Sequence, residues 1–324
     1  MAIPTNTFDT YQAIGNREDL EDKIYMVSPE ETPILSMGRK LVATAKFHEW
    51  QRDTLATPNK DNAVIEGDDR TGTAITATQR VGNFAQLFDK VAIVATSQKA
   101  SNPAGRSDEM KYQIMKRTKE LKRDVEAMLL SRNPAVAGAT GATARKSGGL
   151  GVMIYTNASY GGAGATASHT SGAPTTANTA GTNRAFAETQ VKTAMQQVFN
   201  NSGSSPSVVA LTPSHKSGFS AFTGIAVNRL DLKSPMQAKI IGGADLYVSD
   251  FGTLAIVPSY VMSTSGNDVA WLLNPEYYGI ATFQPFSSVP LAKTGHTDKE
   301  LVSMEVMAWV GSETALAKID NLIP

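Results

Sequence analysis

The clearest pattern of hydrophobic and polar positions lies between residues 107 and 132. Weakly polar or apolar side chains recur there at steps of three and four, which places them on one face of a helix. This stripe consists of Met110, Ile114, Thr118, Leu121, Val125 and Met128. Ser107 can cap the helix, and Pro134 follows its end. At roughly 1.5 Å per residue, the pattern predicts a helix on the order of 40 Å long.

A long polar hairpin is predicted just before this helix, over residues 38–99. Its first arm is strand-like over 45–52, and its second arm extends from Gln79 to Ser97. Alternation along the second arm places Val81, Ala85, Leu87, Val91 and Ile93 on one face, and Phe84, Phe88, Ala92 and Val94 on the other. A two-stranded ribbon alone is marginal in water. The hairpin must therefore pack on its own chain or on a neighbour.

The segment that follows the long helix has a biased composition. Between Thr156 and Asn183, 22 of 28 residues are Gly, Ala, Ser or Thr. This bias predicts a flexible surface insertion with little packing value. Just before it, the apolar run 150–155 is interpreted as one short buried strand. A second amphipathic helix is predicted over 184–201, followed by Gly203.

The remaining pattern is mostly that of short strands. A buried strand is predicted over 207–212, and Pro213 begins a helix after it. Later strands are predicted at 245–248, 253–257, 269–273, 278–283 and 300–310. Residues 1–37 form an extended arm with a short helix near 17–26. Because helices and strands mix without a repeating βαβ order, the pattern favours an α+β fold.

Charge and composition exclude several classes of protein. Lys and Arg total 30, as do Asp and Glu, so the net charge is zero and wholesale coating of nucleic acid is disfavoured. The chain has no cysteine, which excludes disulfides and thiolate chemistry. No signal peptide and no membrane-spanning run is recognised, so we expect a protein made in a cytoplasm without membrane partners.

The search for catalytic or ligand-binding motifs finds none that is convincing. The four histidines are scattered, at positions 48, 169, 215 and 296, without metal-ligand spacing. The segment 141–147 ends in Lys-Ser, but Arg145 stands where a phosphate-binding loop needs glycine. The segment 162–167 fits G-x-G-x-x-A, yet no helix follows it. We therefore predict no catalytic, metal-binding or cofactor-binding residues and no enzyme activity.

One strip of basic residues lies opposite the apolar stripe of the long helix. It consists of Lys116, Lys119 and Arg123. Two interpretations stay open for it. It forms an ordinary solvated helix face, or it faces an anionic interior such as packaged DNA and contacts phosphates without reading sequence.

Several strings resemble the major head (capsid) proteins of tailed phages, of the DUF5309 type. They are SPEETPILS (28–36), FHEWQRDTLATP (47–58), NAVIEG (62–67), GRSDEMKYQ (105–113) and KELKRDVE (119–126). The resemblance is densest over 28–151 and continues, more weakly, to the C-terminus. It implies the capsid fold named for phage Hong Kong 97, with an N-terminal arm, an extended hairpin called the E-loop, a P-domain built on a spine helix, and an A-domain.

The expected division follows that fold. It comprises the N-terminal arm 1–37, the E-loop 38–99, the P-domain 100–205 with spine helix 107–132 and flexible insertion 156–183, the A-domain 206–289, and C-terminal strands 290–324 that complete the P-domain.

The resemblance implies a major capsid protein that self-assembles, as hexamers and pentamers, into an icosahedral head around double-stranded DNA. The expected inter-subunit contacts of the E-loop are Phe47, Trp50, Phe84 and Phe88. Further implied partners are non-specifically bound DNA and portal, scaffold or decoration proteins, and the implied location is the virion capsid, assembled in the host cytoplasm. Two alternatives remain: a bacterial nanocompartment (encapsulin-like) shell of the same fold, and a soluble hydrolase or transferase.

Overall fold

The computed structural model describes residues 31–69, 72, 74–101, 108–167, 169, 171–222, 245–264 and 268–323. The predicted helix near 17–26 and most of the predicted arm lie outside these residues. The helices are α1 (Pro33–Met37), α2 (Thr96–Ala100), α3 (Glu109–Leu129), α4 (Leu150–Met153), α5 (Glu188–Ser202), α6 (Pro213–Ser220) and α7 (Tyr260–Thr264). The strands are β1 (Arg39–Val42), β2 (Phe47–Arg52), β3 (Gln79–Phe84), β4 (Gln86–Ala95), β5 (Ala158–Ser159), β6 (Val208–Leu211), β7 (Leu246–Ser249), β8 (Gly252–Pro258), β9 (Ala270–Leu273), β10 (Tyr278–Pro290), β11 (Thr297–Val310) and β12 (Ala317–Ile319).

The long helix α3 confirms the predicted apolar stripe but not the predicted cap. Leu121 and Val125 are fully buried in the main core. Asp108 is the N-cap, because its carboxylate accepts hydrogen bonds from the backbone N–H groups of Met110 at 2.9 Å and Lys111 at 3.3 Å. Ser107, the predicted cap, lies outside the described residues. A carboxylate cap of this kind contributes about 1 kcal/mol to helix stability.

A four-stranded sheet in the order β1-β10-β11-β4 packs against α3. Within β4, Phe88, Ala92 and Val94 are buried, whereas Leu87 and Ile93 are 57% exposed. One face of this strand therefore covers α3 and the other faces outward.

A six-stranded sheet in the order β5-β12-β9-β6-β8-β7 holds the second core. Helix α5 packs its apolar face, including Val191, Met195 and Val198, against this sheet. It ends at Gly203, whose φ of 65° suits glycine at a helix C-terminus. The buried strand predicted over 207–212 and the helix start at Pro213 are confirmed.

Each of the two sheets contains strands from more than one of the expected domain ranges, and those ranges stay a prediction. Strand β10 begins at Tyr278 and pairs in the four-stranded sheet, although the expected A-domain extends to residue 289. Strand β12 pairs with β5 from the expected P-domain range and with β9 from the expected A-domain range. The polypeptide therefore crosses between the sheets near its C-terminus.

The prediction of a buried strand over 150–155 was wrong. The structure has the short helix α4 there, and all four of its residues are buried. Its backbone lies against the end of α3, and a Cβ on Gly149 would stand 2.3 Å from the Ser131 carbonyl oxygen. Because the run is apolar on every side, its hydrophobicity cannot distinguish a strand from a helix.

The prediction that 156–183 contributes little packing was also wrong. Strand β5 of this segment pairs in parallel with β12. The Asn321 carboxamide accepts a hydrogen bond from the Gly181 N–H and donates one to the Gly181 carbonyl, both at 3.1 Å. Asn157 is fully buried. Small residues here allow close backbone packing against the C-terminal strand.

Candidate assembly surface

The extended hairpin is paired only near its base. β2 and β3 form a two-stranded antiparallel sheet in which Phe47 pairs with Phe84 and Arg52 pairs with Gln79. The described residues of the tip, from 53 to 78, form no strand, and all of them are exposed. The hairpin therefore has a base of paired strands and a tip whose described residues are not buried by the rest of the described chain.

The base is fixed to its own chain by specific contacts. The Trp50 indole N–H donates to the Val310 carbonyl at 2.8 Å, and its ring lies 6.1 Å from the ring of Trp309. On the other edge, the backbone N–H of Gly82 donates to the Gly172 carbonyl at 2.8 Å. These contacts join the hairpin to β11 and to the segment 156–183.

The tip carries large aliphatic side chains that belong to none of the hydrophobic clusters of the described chain. Leu55 is 99% exposed and Ile75 is 97% exposed, and Ile65 and Val64 are mostly exposed as well. Single exposed apolar residues are ordinary on protein surfaces. Four aliphatic side chains on one polar tip are a stronger feature, and we call them the tip aliphatics.

The predicted contact aromatics are largely engaged within the chain. The rings of Phe47 and Phe84 lie 4.7 Å apart, and Trp50 packs against the main core. Phe88 is only 8% exposed and lies in that core. Inter-subunit contact by these four residues stays a prediction. Sequence reasoning missed the tip aliphatics, although their isolation among polar residues was a readable signal.

A second apolar surface lies on the outward face of the four-stranded sheet. The pairing register places Val91 opposite Leu301, and Leu301 opposite Val289. Val289 is 49% exposed, and the neighbouring Leu87 and Ile93 are each 57% exposed. Because these side chains share one face, we call them the sheet row. Asp89, Ser303 and Lys299 share this face, so the row is apolar mainly where Val91, Leu301 and Val289 lie side by side. Exposed apolar side chains grouped in this way are typical of interaction sites.

The three basic residues of α3 lie in different surroundings. Lys116 is exposed, whereas Lys119 and Arg123 are half-buried. The Arg123 guanidinium carbon lies 5.8 Å from the centre of the Tyr260 ring, within cation–π distance. Contact with an anionic interior stays a prediction for this strip.

The two phosphate-loop lookalikes have structural partners instead. Arg145 forms an ion pair with Glu305, and the Ser147 hydroxyl accepts the Ala308 backbone N–H at 3.0 Å. In the other lookalike, Ala165 forms a β-bridge with Thr179.

The described ranges contain no group of three or more His, Asp or Glu side chains placed to hold a metal ion. A polar cavity of about 190 Å³ is lined in part by His169 and Thr175. None of the helices that the structure describes is long and apolar enough to cross a membrane.

Comparison with known proteins identifies a family over almost the whole chain. The family described as SU10 major capsid protein matches residues 3–322. A curated major capsid protein of Escherichia phage Phieco32 is 34% identical over 131 residues. That alignment spans 40% of this chain and 37% of the relative.

Solved structures resemble the chain over nearly its full length. The capsid structure of cyanophage P-SCSP1u matches with a TM-score of 0.60 and 12% identity, covering 99% of this chain and 97% of that chain. The SrpI encapsulin complex of Synechococcus elongatus matches with a TM-score of 0.53 and 13% identity, covering 95% and 92%. At such low identity, these likenesses show a shared fold.

Proposed function

Because this chain belongs to the SU10 major capsid protein family, we propose that its copies assemble into the closed icosahedral head of a tailed phage, around double-stranded DNA. Its α+β fold is the Hong Kong 97-like capsid fold, as the resemblance implied. The family match over residues 3–322 carries the proposal. The proposal assigns no catalytic role to the chain.

We further propose that the tip aliphatics of one copy cover the sheet row of the next copy. Both surfaces are apolar and exposed in the single chain. Full burial of one aliphatic side chain contributes about 1.5 to 3 kcal/mol before the costs of association. A contact of moderate strength is then repeated around every subunit of a closed shell, so the assembly gains from many such contacts.

The remaining parts take their expected roles in the same proposal. The N-terminal arm and the hairpin reach neighbouring copies in hexamers and pentamers, and α3 is the spine of the P-domain. Lys116, Lys119 and Arg123 would face DNA without reading its sequence, because cationic side chains gain affinity from phosphates by releasing counterions. Portal, scaffold and decoration proteins would be further partners, and assembly would take place in the host cytoplasm.

Microscopy of the expressed chain tests the proposal directly. We expect closed particles by negative stain for the wild type, and dispersed subunits for the double variant Leu55→Asp, Ile75→Asp. The double variant Thr57→Asp, Thr76→Asp is the matched control, because it adds the same two charges at exposed polar positions of the same tip. Normal particles from the Leu55→Asp, Ile75→Asp variant would contradict the role of the tip aliphatics. A wild-type chain that stays monomeric under all assembly conditions would contradict the shell itself.

The encapsulin likeness supports an alternative, a compartment that encloses proteins. Purified particles distinguish the two functions by their contents. Nuclease-protected DNA after infection supports the phage head, whereas a specific protein cargo and no nucleic acid supports the compartment.

A further inference from the structure

Lys318 is a lysine that the chain buries completely, in the middle of β12. Its Nζ donates a hydrogen bond to the carbonyl oxygen of Gly151. The side-chain Nδ2 of Asn178 donates to the same oxygen at 2.6 Å. Two donors on one oxygen lie within roughly 6 Å of each other. A buried amine and a carboxamide therefore lie side by side at one carbonyl oxygen, although they are 140 positions apart in the sequence.

A hydrogen bond polarises the carboxamide of Asn178, and this makes its Cγ more electrophilic. Its Oδ1 accepts a hydrogen bond from the backbone N–H of Ala167 at 3.1 Å. If an amine adds to Cγ, negative charge develops on this oxygen. A backbone N–H fixed in place before the reaction stabilises that charge without reorganisation.

Asp320, two residues after Lys318, is a carboxylate whose charge acts on the amine. Asp320 is fully buried, and its Oδ1 lies 2.7 Å from the Arg132 guanidinium. Its Oδ2 is buried and has no hydrogen-bond partner among the described residues. The centre of the Tyr160 ring lies 4.9 Å from the Lys318 Nζ. A buried acceptor without a partner is uncommon in folded proteins and calls for an explanation.

Burial also favours the neutral form of the Lys318 amine, which is the form that reacts as a nucleophile. It lowers the pKa of Lys318 to about 7, and the charge of Asp320 opposes this effect. At pH 8 most molecules would then carry a neutral amine, which has the lone pair that a nucleophile needs.

We propose that Lys318 and Asn178 join in an intramolecular amide cross-link that the folded chain forms by itself. The Nζ lone pair adds to Asn178 Cγ, the Cγ–Nδ2 bond breaks, and Nδ2 leaves as ammonia. One proton passes from Nζ through Asp320 Oδ2 to the leaving nitrogen, so the carboxylate is regenerated. No oxidant or reductant is required, because no atom changes its oxidation state.

The cross-link has a clear structural consequence. It would tie the C-terminal strand β12 covalently to the segment 156–183, whose small residues offer little apolar surface of their own. A covalent bridge between distant residues restricts the unfolded chain and resists mechanical opening. This inference does not depend on assembly of the shell.

Mass spectrometry of the denatured chain tests the cross-link. We expect the wild type to weigh about 17 Da less than its sequence requires, the mass of one ammonia. Lys318→Met and Asn178→Ala should both have their full calculated masses. Lys146→Met is the control, because it removes an exposed lysine and should keep the loss. Digestion of the wild type should yield a branched peptide joining positions 178 and 318.

The full sequence mass in the folded, purified wild type, with no branched peptide, would overturn the proposal. A loss of ammonia that persists in Lys318→Met would overturn it too, because the reacting amine would then lie elsewhere. If Lys318→Met does not fold, the wild-type mass and the branched peptide still decide the question.

Discussion

Asn83 is the single residue that best tests how the base of the hairpin is held. It lies fully buried in β3, and its Nδ2 stands 3.0 Å from the Ser147 hydroxyl and 2.9 Å from the Gly148 carbonyl oxygen. The same Nδ2 stands 2.8 Å from the Ala308 carbonyl oxygen. The Asn83 Oδ1 accepts the Gly148 N–H at 2.9 Å. One side chain thus joins the hairpin, the loop before α4, and β11.

The substitution Asn83→Ala removes these hydrogen bonds and leaves buried polar groups behind. A neutral hydrogen bond contributes about 1 kcal/mol net, and a buried group left without its partner costs about 1 to 3 kcal/mol. The Gly148 N–H and the Ala308 carbonyl both lose this partner. We therefore expect a loss of about 3 to 5 kcal/mol, which is a large part of the roughly 5 to 15 kcal/mol of a typical domain.

Urea unfolding followed by tryptophan fluorescence measures this loss, because Trp50 and Trp309 lie at the hairpin base. The measurement is made in the Leu55→Asp, Ile75→Asp background, in which we expect the chain to stay unassembled. Asn59→Ala, at an exposed asparagine of the tip, should change the free energy of unfolding by less than about 0.5 kcal/mol. A loss below about 1 kcal/mol for Asn83→Ala would refute the reasoning.

Two further predictions concern buried titratable groups. Glu126 accepts the Leu35 N–H at 3.1 Å, so Glu126→Ala should cost about 2 kcal/mol and speed proteolysis near α1. Glu120→Ala on the same helix should change neither the free energy of unfolding nor the rate of proteolysis near α1. Equal rates of proteolysis in the two variants would contradict the prediction. Burial and a nearby arginine lower the pKa of His169 from 6.5 to about 4. As the pH falls from 6.5 to about 4, His169 binds a proton in the unfolded chain but not in the folded chain. The free energy of unfolding therefore falls by up to roughly 3 kcal/mol over this pH range. Urea midpoints at pH 7 and 4 should show a smaller acid loss for His169→Asn; an unchanged loss would exclude His169 as its source.

The long helix could be predicted from the sequence because its apolar period repeats over many turns. The residue at which the helix begins could not be predicted equally well, because Ser107 and Asp108 both have side chains that cap helices. The structure selects Asp108 through its hydrogen bond to the Met110 N–H. Such a choice depends on the backbone angles of one residue, which periodicity does not contain.

Fully buried segments were the hardest to predict. Residues 150–153 are buried all round, so neither alternation nor a helical stripe is visible in them. The segment 156–183 was misread for a related reason. Its packing comes from backbone hydrogen bonds and polar side chains such as Asn157, not from apolar area. Composition alone therefore underestimates how strongly such a segment is held.

The paired base of the hairpin, β2 with β3, follows the prediction, whereas β4, the rest of the predicted second arm, pairs with β11 in the four-stranded sheet. The residues proposed for the contacts of the hairpin were chosen by size. Large aromatic side chains near the base have apolar partners in their own chain, as Phe88 does in the main core. Leu55 and Ile75 have none, because the tip lies beyond the reach of that core. Position along the hairpin is thus a better guide to an intermolecular contact than hydrophobicity alone.

The division between base and tip also bears on the cost of assembly. Binding is weakened when a segment must be ordered as it docks, and each immobilised side chain adds to that cost. Here Asn83 and Trp50 fix the base before any neighbour arrives. The base that carries the tip aliphatics is therefore already fixed, so the base itself loses little conformational entropy on contact. A hairpin loosened at Asn83 should thus assemble poorly even though every residue of its tip is unchanged.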